Sequence, residues 1–148
     1  QNLDRLTRKF ATAVKLMPKP VIRKTSRSSK LGIVNFGSTE PAVREACDLL
    51  ARTGYKLNTM RLRAFPFGKE VAKFAANHDR IFLVEQNRDA QMRSLLITEA
   101  GIPAHKLISV LNYDGMPLTA DWVKNKIEAM IETDKSVAAA MQLSVRAM

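Results

Sequence analysis

One cysteine, Cys47, stands among 148 residues. That scarcity excludes an internal disulfide, and with it any iron-sulfur or structural zinc site ligated by this chain's thiolates alone. Aromatic residues make up 6% of the sequence, and Phe10 is the only one in the first 30 positions. A stacking platform for single-stranded nucleic acid is therefore missing from that region. No apolar run approaches the length of a membrane-spanning helix, and no secretory leader is legible after Gln1. The Walker lysine pattern and G-x-G-x-x-G are both absent, and neither His78 nor His105 has metal-ligand spacing or an assignable nucleophile beside it. These gaps lead to the expectation of a fragment of a cytoplasmic protein without membrane contact.

What is there belongs to a soluble globular chain, 46% hydrophobic and 26% charged, long enough for one ordinary core. The net charge of +10 is lopsided, since nine basic residues against Asp4 alone place most of it in residues 1–30. That pattern reads as a solvated basic linker in preference to a nucleic-acid arm, and no nucleic-acid partner is expected. Cys47 shares an apolar stripe with Val43, Ala46 and Leu50, where a thiol packs as a small hydrophobe.

Leu3, Leu6, Phe10, Ala13, Val14 and Met17 recur at helical spacing until Pro18 and Pro20 stop the pattern. Val21 and Ile22 add a short strand within the basic segment. A first core strand through Ile33, Val34 and Phe36 ends at Gly37-Ser38-Thr39 and enters a helix through Glu40 and Pro41. Gly54 closes that helix. A second strand, Leu57 to Arg63, alternates apolar and polar positions and belongs near an edge, whereas Ile81-Phe82-Leu83-Val84 is apolar throughout and belongs at the centre. Leu107 to Leu111 supplies a fourth strand. Helices around Phe74, around Leu95 and from near Thr119 separate or follow these strands, and Val137, Met141, Val145 and Met148 outline a terminal helix.

Repeated strand-helix units require right-handed crossovers and a parallel sheet covered on both faces, so the fold class is a three-layer α/β/α sandwich. The expected order is second, first, third, fourth, which places a switch point between the first and third strands. Ligands of open parallel sheets bind there, outside the strand carboxyl ends. Here that means Gly37, Ser38 and Thr39 facing Glu85 to Arg88. The first trio could hold an anion or simply cap a helix. The second stretch, with Gln91 following, could be a binding surface or an ordinary turn in which Asn87 or Asp89 caps the helix and Glu85 pairs with Arg88. Asn112-Tyr113-Asp114-Gly115 is turn chemistry with an added aromatic.

Several stretches together resemble the alpha subunits of 2-oxoglutarate:ferredoxin oxidoreductases, within the 2-oxoacid:acceptor oxidoreductase family. They are Leu6 to Phe10, Pro18 to Pro20, Gly37 to Thr39, Arg63 to Phe67, Val84 to Met92 and Leu111 to Gly115. The run from Glu85 is the most specific, similar to a Glu-x-Asn-x-x-Gly-Gln motif with Ala90 in place of glycine. The resemblance implies a transketolase C-terminal-like domain with four or five strands, one of them an antiparallel edge. It also implies an enzyme that uses thiamine diphosphate, magnesium, an iron-sulfur cluster and coenzyme A to decarboxylate a 2-oxoacid oxidatively and reduce ferredoxin. In that setting this domain binds none of those groups alone and holds no catalytic residue. Its partners are the rest of the alpha subunit and the beta subunit, and Glu85, Asn87, Arg88 and Gln91 support an interface near the active centre.

The expected division is a helix and basic linker over residues 1–30, the α/β domain over 31–133 and a helical tail over 134–148. The terminal apolar stripes need cover from this core or from a second chain, which leaves a homodimer open. Two rival functions stay in view: a free-standing phosphate or nucleotide module using Gly37-Ser38-Thr39, and a basic nucleic-acid-binding protein.

Overall fold

The computed structural model describes residues 2–146, with the side chains of 139–141 and 143–146 not described. A helix, α1 (Asn2–Leu16), leads to a short strand, β1 (Val21–Arg23). The core then alternates β2 (Leu31–Phe36), α2 (Glu40–Arg52), β3 (Asn58–Leu62), α3 (Lys69–Asn77), β4 (Arg80–Glu85), α4 (Gln91–Ala100), β5 (Leu107–Leu111) and α5 (Ala120–Arg146). The sheet order is β1-β3-β2-β4-β5. Every pairing is parallel except β1 with β3, which is antiparallel at one edge. The four core strands thus take the expected order, and β1 is the fifth, antiparallel strand.

Period-two alternation divides the core in two. Ile33, Phe82 and Val84 point to one face, where Val43, Ala46 and Leu50 of α2 and Val123, Ile127 and Ile131 of α5 cover them. Val34, Ile81 and Leu83 point to the other, against Val71 and Phe74 of α3 and Leu96 of α4. The four apolar residues of β4 are each 0% exposed. Complete burial of such side chains is worth about 2 kcal/mol apiece, so the central strand anchors both layers. A close approach on the α3 side depends on Gly32, because a Cβ there would meet the Phe74 ring at 2.9 Å.

Two elements leave this core. No residue of α1 is buried, and Leu3 at 79% and Phe10 at 52% exposure leave the first part of its apolar stripe uncovered by the described residues, whereas Ala13 and Val14 are half-buried. The last helix runs unbroken from Ala120 to Arg146, so the stripe around Ile127 and the expected terminal helix are one element. Met148 lies outside the described residues, and the side chains of Met141 and Val145 are likewise not described. Among the described residues no helix is long and apolar enough to cross a membrane.

Candidate functional site

The rim of the sheet lies where β2 and β4 diverge, and the residues after each strand meet there. Gly37 exits β2 with φ +61°, a left-handed conformation that glycine adopts without a Cβ penalty. The turn it starts places Ser38 in solvent and Thr39 inside. Thr39 stands at the amino end of α2 but makes no capping bond. Its hydroxyl instead donates to the Phe36 carbonyl at 2.7 Å, which closes the turn and removes that group from ligand contact.

The stretch after β4 is organised around a carboxylate that faces inward. Glu85 is 0% exposed. Its Oε2 accepts from the Met92 amide at 2.8 Å and from Asn87 Nδ2 at 2.8 Å, and its Oε1 accepts from the Arg93 amide at 3.1 Å. Glu85 is thus the cap of α4, satisfying amides that the first turn of a helix leaves without partners. Asn87 completes the loop with its Oδ1, which accepts from the Asp89 and Gln91 amides. Glu85 does not pair with Arg88, whose Nε donates to Asp89 at 2.8 Å on the outside. Ala90 holds the last position before α4 at φ +50°, where a glycine would be unstrained.

Of the residues singled out in sequence, Gly37, Ser38, Thr39, Asn87 and Gln91 line one cleft of about 620 Å³. Glu85 lies beneath that surface, and Arg88 points away from it. Gln86 falls within the expected Glu85 to Arg88 stretch but is not among the residues singled out there. Its side-chain oxygen accepts from Ser38 Oγ at 3.2 Å, and its Nε2 donates to the Met116 carbonyl at 3.4 Å. A second cleft of about 630 Å³ lies on the other side of that bridge, lined by Ser38, Gln86, Tyr113 and Met116 among others. The Ser38–Gln86 contact is therefore the shared wall of two recesses across the switch point. Asn112 and Asp114 build the turn behind it, with their side-chain oxygens accepting from the Asp114 and Met116 amides, and Tyr113 stays 65% exposed.

The rim offers neutral amides, hydroxyls and an exposed aromatic, with Arg88 and Asp89 already paired. That set suits hydrogen-bonded contact with a neighbouring surface. Among the described residues no group of three or more His, Cys, Asp or Glu side chains could hold a metal ion. A lone buried cysteine does not supply the thiolates an iron-sulfur cluster needs. Cys47 is on the far side of the core, where burial pushes its thiol up to about 12, well out of thiolate range at neutral pH.

No family model matches the sequence. Curated relatives do. The chain is 31% identical over 107 residues to the 2-oxoacid:ferredoxin oxidoreductase subunit alpha of Saccharolobus solfataricus, covering 70% of this chain and 16% of that one. It is 28% identical over 131 residues to subunit alpha of 2-oxoacid:ferredoxin oxidoreductase 2 from Aeropyrum pernix, covering 85% of this chain and 20% of that one. The chain belongs to the 2-oxoacid:ferredoxin oxidoreductase alpha-subunit family. It spans no more than a fifth of the length of these relatives, as one domain of such a subunit.

Solved structures agree on the fold. The 2-oxoglutarate:ferredoxin oxidoreductase of Magnetococcus marinus, determined with 2-oxoglutarate, coenzyme A and succinyl-CoA bound, superimposes with TM-score 0.72 at 22% identity, over 80% of this chain and 21% of that one. A split-gene transketolase, described as an inactive beta4 tetramer, gives TM-score 0.56 at 18% identity, over 75% of this chain and 40% of that one. The transketolase-like architecture expected of the family member is the one observed.

Proposed function

We propose that this chain is a scaffold and interface domain of a 2-oxoacid:ferredoxin oxidoreductase alpha subunit, without turnover of its own. The whole enzyme would carry out coenzyme A-dependent oxidative decarboxylation of 2-oxoglutarate in the cytoplasm and pass the electrons to ferredoxin. Thiamine diphosphate, magnesium and the iron-sulfur cluster would be held by its other domains and by the beta subunit. No step through those groups is assigned to residues of this chain.

The observation that carries the reading is the Ser38–Gln86 wall between two open recesses, held from beneath by the capped helix α4. A buried carboxylate saturated by two backbone amides and one side-chain amide makes the rim rigid, which is what a surface that positions neighbouring domains requires. Gly37, Ser38, Asn87 and Gln91 would face those domains, with Glu85 as the positioning residue and Arg88 at the periphery. A rival phosphate module at Gly37-Ser38-Thr39 would rely on backbone amides, since the Thr39 hydroxyl is engaged by Phe36.

Reconstitution tests this. The chain supplied together with the remaining alpha-subunit domains and the beta subunit should oxidise 2-oxoglutarate with ferredoxin as acceptor, and the chain alone should not. Ser38→Ala with Gln86→Ala should lower kcat/KM of the assembled enzyme about tenfold, roughly 1.4 kcal/mol of transition-state stabilisation, while leaving the fold intact. Turnover by the isolated chain, or unchanged kcat/KM and assembly in the double variant, overturns the reading.

A further inference from the structure

The opposite end of the sheet, where β2 and β4 begin, carries a recess of about 840 Å³ between α3 and the segment joining β1 to β2. Lys24, Arg27 and Lys30 line it from that segment and Lys73 from α3, against one carboxylate, Glu70. Glu70 is engaged by Lys19 at 3.6 Å. None of the four lining cations holds an ion pair among the described residues. Convergent cations on a concave wall focus positive potential on its interior and favour a multiply charged anion.

The segment is fixed in place by a buried anchor. Asn58, 4% exposed, accepts through Oδ1 from the amides of Thr25 at 2.9 Å and Ser26 at 3.2 Å. Its Nδ2 lies 3.0 Å from His78 Nε2, and His78 Nδ1 lies 2.7 Å from the Phe74 carbonyl. A carbonyl only accepts, so Nδ1 carries the ring proton and Nε2 accepts from the Asn58 amide. The anchor is uncharged, and both Asn58 and His78 use their polar atoms within it. The loop geometry is therefore set before any ligand arrives, which lowers the ordering cost of binding. The hydroxyls of Ser26 and Ser28, 3.0 Å apart, add hydrogen-bonding groups at the same wall.

We propose that this recess binds a small molecule bearing two or more phosphate groups. Its volume falls in the range of small-ligand pockets, roughly 300–1,000 Å³. Phosphate oxygens match a set of ammonium, guanidinium and hydroxyl donors. A nucleic-acid strand fits less well, because the only rings at the floor, Phe74 and His78, are 4% and 3% exposed and offer no face on which a base could stack. This site is separate from the rim and does not depend on the function proposed there.

Isothermal titration of the 148-residue chain with ADP and with inorganic tripolyphosphate tests the proposal. Saturable binding of both probes is expected, with affinity falling at least about tenfold in Arg27→Ala with Lys73→Ala, a loss in keeping with removal of two charge-assisted contacts. Arg5→Ala with Lys9→Ala on α1 removes equal charge elsewhere and should leave affinity unchanged, and circular dichroism should show both variants folded. Absence of saturable binding by either probe, an equal loss in the α1 variant, or tighter binding of a single-stranded oligonucleotide than of either probe overturns it.

Discussion

The two ends of one sheet solve the same problem in opposite ways. At the carboxyl end, the buried polar hub is the carboxylate of Glu85, neutralised by helix amides, and the groups it leaves facing solvent are uncharged or already paired. At the amino end the hub is the neutral Asn58–His78 pair, and the groups around it that face solvent include four cations with no ion pair among the described residues. An inward charge thus comes with an outward-facing neutral surface, and an inward neutral pair with an outward-facing charged one. The first end suits contact with protein surfaces and the second suits a mobile anion.

The contrast can be broken most sharply at Glu85. Glu85→Ala leaves three donors facing a hole and should cost about 3 kcal/mol or more in urea unfolding, at about 1 kcal/mol or more per buried unsatisfied group. Asn58→Ala should cost about 2 kcal/mol by the same reasoning and, in addition, free the segment that carries Arg27. Hydrogen exchange at the Thr25 and Ser26 amides would report that release, and unchanged protection there would separate the anchor from the loop.

The hubs should also differ in their response to pH. Burial holds His78 below its ordinary value of 6.5, reinforced by the charges of Lys30 and Lys106 and opposed by its bond to Phe74 and by Asp79. The unfolded chain therefore takes up a proton that the folded chain resists. The stability this histidine contributes is complete above about pH 6.5 and is lost as pH falls toward the depressed native value. Unfolding midpoints at pH 7.5 and pH 5 should diverge, and His78→Gln should reduce the divergence.

Smaller changes sharpen the picture. Ala90→Gly should raise stability by about 0.5–1 kcal/mol, since relief of the left-handed strain exceeds the added freedom of the unfolded chain. A thermal scan would show it. Gln86→Ala should move stability by less than about 0.5 kcal/mol, because its bonds are exposed. A functional defect with an unmoved midpoint is the signature that distinguishes Gln86 from Glu85.

Strand order was legible because β3 alternates and β4 does not, and burial on one or two faces writes that difference directly into residue type. The antiparallel edge at Val21 and Ile22 rested on the weakest local pattern and on family resemblance, since three residues carry little periodicity. The role of Glu85 was hidden for a different reason. A charged residue at a strand end looks outward in one dimension, yet Glu85 shares its parity with Ile81 and Leu83 and so faces the layer that contains α4. That parity was the available signal. Gln86, one step out of phase, is the side chain left to bridge the rim. The anchoring of the basic segment could not be read at all, because Asn58 reaches Thr25 and Ser26 across more than thirty residues of sequence.

The last helix is longer than the sheet it covers. Its 27 residues extend about 40 Å at 1.5 Å per residue, whereas a six-residue strand such as β4 spans about 20 Å. Its seated part reaches past Ile131 to Asp134 and Lys135, which engage Arg80 and Tyr55, and beyond them Val137 is 50% exposed. Ile127 and Ile131, buried in the core ahead of those contacts, fasten the helix to the sheet at its first half.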